Sequence, residues 1–140
     1  MPSFSRRSLD HLDTCHFELQ RLFLEVIKER DCTILQGFRG KDEQEKAFKE
    51  GKSKAHWGQS KHNYSPSCAV DVMPYPINWN DKDGVTKFYE FVKKKADELG
   101  IKIRWGADWD GDGKYWEKDG WEIDGPHYEL IDTSGSVIPK

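Results

Sequence analysis

The sequence predicts a small α+β domain, and three observations carry that prediction. Two stretches place apolar residues at helical spacing, four short runs are rich in β-formers, and 140 residues without a repeat or an interdomain linker suit one core. Ser8 is placed to cap a first helix in which Leu9, Leu12, Leu19, Leu22, Phe23 and Val26 recur every three or four residues. "CTILQGF" at 32–38 reads as a strand closed by Gly37 or Gly40, and "KDEQEKAFKEG" as a short polar helix stopped at Gly51. Residues 52–67 hold Gly, Ser, Asn and Pro without a period and read as a loop, and "CAVDVM" follows as a core strand. Asn80 or Asp83 opens the clearest helix, striped by Val85, Phe88, Tyr89, Val92, Ala96 and Leu99 and ended by Gly100. "IKIRW" alternates as a strand does, a Gly-, Asp- and Trp-rich loop follows, and "HYELI" supplies the last strand before a polar tail.

Composition narrows the function. Hydrophobic residues make up 36% and charged residues 34%, the pattern of a polar globule. A formal net charge of −3, from 22 basic and 25 acidic residues, argues against a general nucleic-acid binder. The basic run "VKKKADELGIKIR" reads as the wet face of a helix and the strand after it. Cys15, Cys32 and Cys68 form no C-x-x-C pair and no disulfide framework, so they read as small buried hydrophobes in a reducing compartment. The N-terminus has no apolar leader region and no run reaches membrane-span length, which predicts folding in the cytoplasm without membrane insertion.

Two short stretches mix acid and histidine, "SKHNYSPSCAVDV" at 60–72 and "EIDGPHYEL" at 122–130. A hydrolytic zinc site takes three ligands from His, Asp, Glu or Cys and keeps one position open, and His62, Asp71 and His127 could supply them. Asp71 is the informative residue. An acid between Val70 and Val72 is costly to bury unless it is paired or metal-bound, although in strict alternation it could face solvent on an edge strand. His11 and His16 read as surface or boundary residues of the first helix, and His56, beside Trp57, as a substrate contact or an exposed residue. "DWDGDG" sets Asp108, Asp110 and Asp112 at alternate positions with Gly113 sixth, as in the front half of a calcium loop. Its twelfth position is Asp119 where glutamate is usual, so a solvated aspartate turn is the alternative. Trp57, Tyr64, Trp105, Trp109, Trp116 and Trp121 divide between core and a peptide-holding groove.

Taken in order, "GFRGKDEQEKAFKEG", "SKHNYSPSCAVDV", "WGADWDGDG" and "DGPHYEL" resemble the peptidoglycan-cleaving zinc peptidases of bacteriophages. More narrowly, the chain resembles the L-alanyl-D-glutamate endopeptidase endolysins, relatives of the Van-type D-alanyl-D-alanine peptidases, over nearly its whole length. The resemblance implies a single zinc peptidase domain over 1–140 with a D-Ala-D-Ala-peptidase/Hedgehog-like fold and no separate wall-binding domain. It implies Zn2+ held by His62, Asp71 and His127, with Asp124 as catalytic acid–base and Arg39 at the developing oxyanion. Gln44 matches a scaffold residue of the helix after Arg39. The glycine common between the first two ligands is absent here, and "NYSPSC" makes that loop two residues longer. Glu122 competes as the base, but its spacing to His127 does not match. Ser60, His56, Trp57, Tyr64 and Trp121 are expected to line the substrate groove, and Asp108, Asp110 and Asp112 to be candidate Ca2+ ligands, since some endolysins of this type are calcium-regulated.

The chemistry follows from those roles. Zinc brings the pKa of water to about 7 and polarises a carbonyl. The expected partner is bacterial peptidoglycan, reached by a monomer from the host cytoplasm after a holin opens the membrane. The net negative charge points to local recognition of an anionic wall, not to long-range steering. A D-alanyl-D-alanine carboxypeptidase or dipeptidase would use the same site residues, and a non-catalytic wall-binding module is the reading outside enzymes.

Overall fold

The structure is a computed structural model that describes residues 2–117 and 123–140. Its elements run α1 (Arg6–Leu12), α2 (Phe17–Val26), β1 (Cys32–Gln36), α3 (Lys41–Lys49), a 3-10 turn (Lys61–Asn63), β2 (Ala69–Pro74), α4 (Lys82–Leu99), β3 (Ile103–Trp105) and β4 (His127–Leu130). The four strands form one sheet in the order β1-β2-β4-β3, with every neighbouring pair antiparallel. This is the expected α+β fold, with helices packed on an antiparallel sheet.

The two faces of the sheet have different jobs. Val70 and Val72 of β2, Tyr128 and Leu130 of β4, and Ile103 and Trp105 of β3 are buried in the core with Leu19, Leu22, Phe23 and Val26 of α2. The α4 stripe of Val85, Phe88, Tyr89, Val92 and Ala96 joins them, and Tyr89 stacks on Trp105 with ring centroids 4.1 Å apart. Period-two alternation then sends Asp71, His127, Glu129 and Arg104 to the opposite face. The register sets Asp71 opposite His127 and Arg104 opposite Glu129. Because β2 lies between β1 and β4, Asp71 is on an inner strand, and the edge-strand alternative falls away.

Three helix expectations need correction. The first helix is two helices, interrupted at 13–16, where Ser67 takes the chain in: His16 N–H donates to the Ser67 carbonyl and Ser67 N–H to the Thr14 carbonyl, each at 2.8 Å. Ser5, not Ser8, is the N-cap, its hydroxyl accepting the Ser8 N–H. Ser8 is buried because its own hydroxyl accepts the Ile34 N–H at 3.1 Å and ties α1 to β1. The long helix α4 is capped by Asp81, between the two residues expected, while Gly100 ends it in the left-handed conformation at φ 73°. All three cysteines are free and buried.

Candidate metal centre and cleft

His62 reaches the sheet from the 3-10 turn that Ser60 caps, the Ser60 hydroxyl accepting the His62 N–H at 3.2 Å. Its ring is held by Nδ1–H donating to the Gly37 carbonyl at 2.8 Å, which turns Nε2 toward Asp71 Oδ1 at 3.1 Å. From β4, His127 brings Nδ1 to 3.5 Å from the same oxygen, while its Nε2 bonds Glu129 Oε1 at 2.8 Å. One donor atom from each of His62, Asp71 and His127 lies within 4.8 Å of the others. Both histidines are buried and Asp71 is half-buried.

This donor set fits zinc. Two imidazoles and a carboxylate converge, and each imidazole has its second nitrogen committed to an outer acceptor, which fixes ring orientation. Glu129 sits two residues after His127 on the same face of β4, so the strand period itself supplies the partner. Without the metal, burial alone would raise the Asp71 carboxyl, but the charge of His62 and hydrogen bonds from both histidines outweigh it and hold it far below the usual range. Burial alone would lower His127, but hydrogen bonds to Asp71 and Glu129 prevail and push it up to about 10.

Asp124 stands in the turn before β4 on the same cleft. Its N–H donates to the Gly106 carbonyl at 2.8 Å, and its carbonyl accepts the His127 N–H at 3.0 Å. Gly106 is required there, since a Cβ would overlap the Asp124 carbonyl. The outer side of Asp124 meets solvent, yet the crowded cleft raises its carboxyl by desolvation. The charge of Asp71 adds to the rise, and His127, His62 and Arg39 partly offset it. Held above its ordinary range, this carboxyl keeps a proton more readily than an exposed aspartate does.

Arg39 completes the cluster, with NH2 3.9 Å from Asp71 Oδ2 and NH1 donating to Gln44 Oε1 at 3.3 Å. Gln44 is fully buried and anchors Arg39 to the loop by donating to the Ala55 carbonyl at 2.6 Å. Asn63, missed in the sequence, is the hub of this scaffold. Its Nδ2 donates to the Arg39 carbonyl and to Gln44 Oε1, each at 3.1 Å, and its Oδ1 accepts from Gly58 and Ser60. Its position next to His62 was the one available signal.

These residues open into a cleft of about 720 Å³, a volume suited to a peptide segment. Ser60 lines it, while His56, Trp57 and Tyr64 are not among the described lining residues. The His56 ring instead bonds Glu45 at 3.0 Å and lies against Phe48, the Trp57 N–H donates to Glu45, and Tyr64 packs on the core. Trp121 and Glu122 lie outside the described residues. The cleft has aromatic walls from other positions: Trp109, whose ring centroid is 5.2 Å from that of His127, and Trp79, 65% exposed and unremarked in the sequence. Trp105 and Trp116 belong to the core region.

The aspartates of "DWDGDG" also converge, with carboxylate oxygens of Asp108, Asp110 and Asp112 within 4.8 Å of one another. Gly113 N–H donates to Asp108 Oδ2 at 3.1 Å, and Gly111 and Gly113 take the positive φ angles of 69° and 82° that the turn requires. Asp108 is buried, and its Oδ1 has no hydrogen-bond partner among the described residues. Burial raises its carboxyl. Asp119 lies outside the described residues.

Comparison with known proteins agrees with this geometry. Residues 2–131 match the family model of the phage L-alanyl-D-glutamate peptidase. The L-alanyl-D-glutamate peptidase of Escherichia phage T5 is 33% identical over 135 residues, covering 91% of this chain and 97% of that protein. The crystal structure of the Serratia marcescens L-Ala D-Glu endopeptidase ChiX superposes with a TM-score of 0.70 at 24% identity, over 92% of this chain and 90% of that one. The LdcB LD-carboxypeptidase shares the fold more distantly, with a TM-score of 0.55 at 22% identity over 84% of this chain and 57% of that one.

Proposed function

The chain belongs to the phage L-alanyl-D-glutamate peptidase family, and from that premise we infer a zinc-dependent endopeptidase that cleaves the L-alanyl–D-glutamate bond of peptidoglycan stem peptides in host lysis. The observation that carries this reading is the buried convergence of His62, Asp71 and His127 at the head of the cleft.

In this reading His62 Nε2, Asp71 and His127 Nδ1 hold the metal. Bound there, zinc supplies a Lewis acid for the scissile carbonyl and for water. Asp124 takes the proton of the attacking water on its carboxylate and delivers it to the departing D-glutamyl nitrogen. Arg39, anchored by Gln44, presents its guanidinium to the oxygen on which charge develops. Arg39→Met therefore lowers kcat about 10²–10³-fold, with bound zinc unchanged on metal analysis, because one oxyanion donor is lost and no ligand is. Equal zinc loss in that variant would make Arg39 a scaffold residue.

Calcium at Asp108, Asp110 and Asp112 belongs to the same proposal, supported by the buried Asp108 Oδ1, which has no hydrogen-bond partner among the described residues. Calcium at about a hundred times its Kd raises the stability of the protein by about 2.7 kcal/mol. Thermal melts would show the rise in the wild type and its loss in Asp108→Asn.

No helix among the described residues is long and apolar enough to cross a membrane. We assign release from the host cytoplasm to a holin and the active state to a monomer. Mass analysis of digested peptidoglycan tests the activity. New N-terminal D-glutamate is the expected product, whereas release of terminal D-alanine would make the protein a carboxypeptidase.

A further inference from the structure

The sequence is acidic overall, but the cleft is not. Its described lining residues include five basic side chains, Arg39, Lys52, Lys54, Lys61 and Arg104, against three carboxylates, Asp71, Asp124 and Glu129. Beyond the metal centre the imbalance concentrates at Glu129. Its buried carboxylate accepts from His127 on one oxygen, and on the other meets both Lys61 Nζ and Arg104 NH1, each at 3.3 Å. Two cations thus share one carboxylate, leaving a surplus positive charge on the cleft wall.

The two cations are not equivalent. Lys61 is 22% exposed and also donates to the Leu130 carbonyl, so its ammonium is largely committed. Arg104 is 41% exposed and, among the described residues, its guanidinium bonds only Glu129 and does so through NH1, which leaves its other N–H groups for a ligand. Its position is fixed by the sheet, since Ile103 and Trp105 are buried in the core and Glu129 lies directly across in β4. A guanidinium with an open edge, mounted on a strand in a concave site, is suited to a carboxylate.

We propose that Arg104, supported by Lys61 and Glu129, is a carboxylate-binding subsite that takes the free carboxylate of the D-glutamyl residue on the leaving side of the scissile bond. The proposal rests on the endopeptidase reading above. A glutamyl residue has two carboxyl groups, and a chain that continues through one leaves the other free. That group is the anion nearest the reacting bond, and it distinguishes glutamate from a neutral residue at the same place. Arg104 is in this account a specificity residue, while Lys61 and Glu129 position it.

The test uses the zinc-loaded protein and two synthetic L-alanyl-D-glutamyl-L-lysine peptides, one with the free glutamyl carboxylate and one with that group converted to a carboxamide. The wild type is expected to favour the acid by about tenfold to a hundredfold in kcat/KM, the effect of losing one charge-assisted hydrogen bond. Arg104→Gln brings the acid down to the level of the amide and leaves the amide and the zinc content nearly unchanged, and Arg104→Lys keeps part of the preference. Equal losses on both peptides, or a wild type indifferent to the change, would overturn the subsite. Calorimetric binding of the D-glutamyl-L-lysine fragment and its carboxamide gives a readout that needs no turnover. If neither peptide is cut between alanine and glutamate, the endopeptidase reading fails. A preference for the acid fragment that Arg104→Gln abolishes would still establish the subsite, and equal binding of the two fragments would overturn it.

Discussion

Asp124→Asn is expected to lower kcat about 10²–10⁴-fold while leaving zinc content and the folded state intact. Asparagine keeps the size of the side chain, and the backbone bonds that seat residue 124 against Gly106 and His127 do not involve the carboxylate. What disappears is the ability to accept a proton. The substitution also removes a negative charge, which relieves the repulsion from Asp71 and gives up the attraction of His127, His62 and Arg39, so the two effects oppose each other. Substrate turnover, metal analysis and a thermal melt on the same preparation separate the outcomes. A drop under about tenfold would remove Asp124 from the proton-transfer role, because general acid–base groups contribute more than that.

His127→Ala is expected to abolish stoichiometric zinc binding and, with it, cleavage. Loss of an outer-shell partner costs about 10–100-fold in metal affinity, and a direct ligand costs more. The variant should still fold, since Glu129 retains Lys61 and Arg104 after the imidazole is gone. In the wild type the same residue makes zinc binding pH-dependent. Metal-free His127 keeps its second proton up to about 10, because Asp71 and Glu129 hold it on both sides. Zinc has to displace that proton from Nδ1, so affinity weakens as pH falls, by about tenfold per unit for one proton released. Competition titrations with a chromophoric chelator across neutral pH measure the slope, and a flat profile would contradict the assignment of Nδ1.

The parts of this molecule that were legible in the sequence are those fixed by neighbours along the chain. The stripe of α4 and its Gly100 cap depend on spacing and on one left-handed residue. The alternation of Ile103, Arg104 and Trp105 is likewise local, and it correctly separates two core residues from one polar one. Asp71 stood out because an acid between Val70 and Val72 needs a reason, though whether β2 was an inner or an edge strand depended on pairing, and His62 and His127 joined it as ligands through the family resemblance. Long-range contacts account for what was missed. The break between α1 and α2 is made by Ser67, some fifty residues on, and Ser8 is drawn inward by the Ile34 amide. His56 and Trp57 seemed groove residues from their place in the loop, but Glu45 of α3 holds that segment through both of them. Arg104 reads in the sequence as the end of a wet basic run, and only the β3–β4 register sets it opposite Glu129, where Lys61 meets the same carboxylate.

A crystal structure of the zinc-loaded protein, with anomalous data collected at the zinc edge, tests the account most directly. The account predicts one zinc about 2.0–2.2 Å from His62 Nε2, a carboxylate oxygen of Asp71 and His127 Nδ1, with Asp124 outside the ligand set. Zinc held by Asp108, Asp110 and Asp112 instead, or a centre in which Asp124 is itself a ligand, would contradict it.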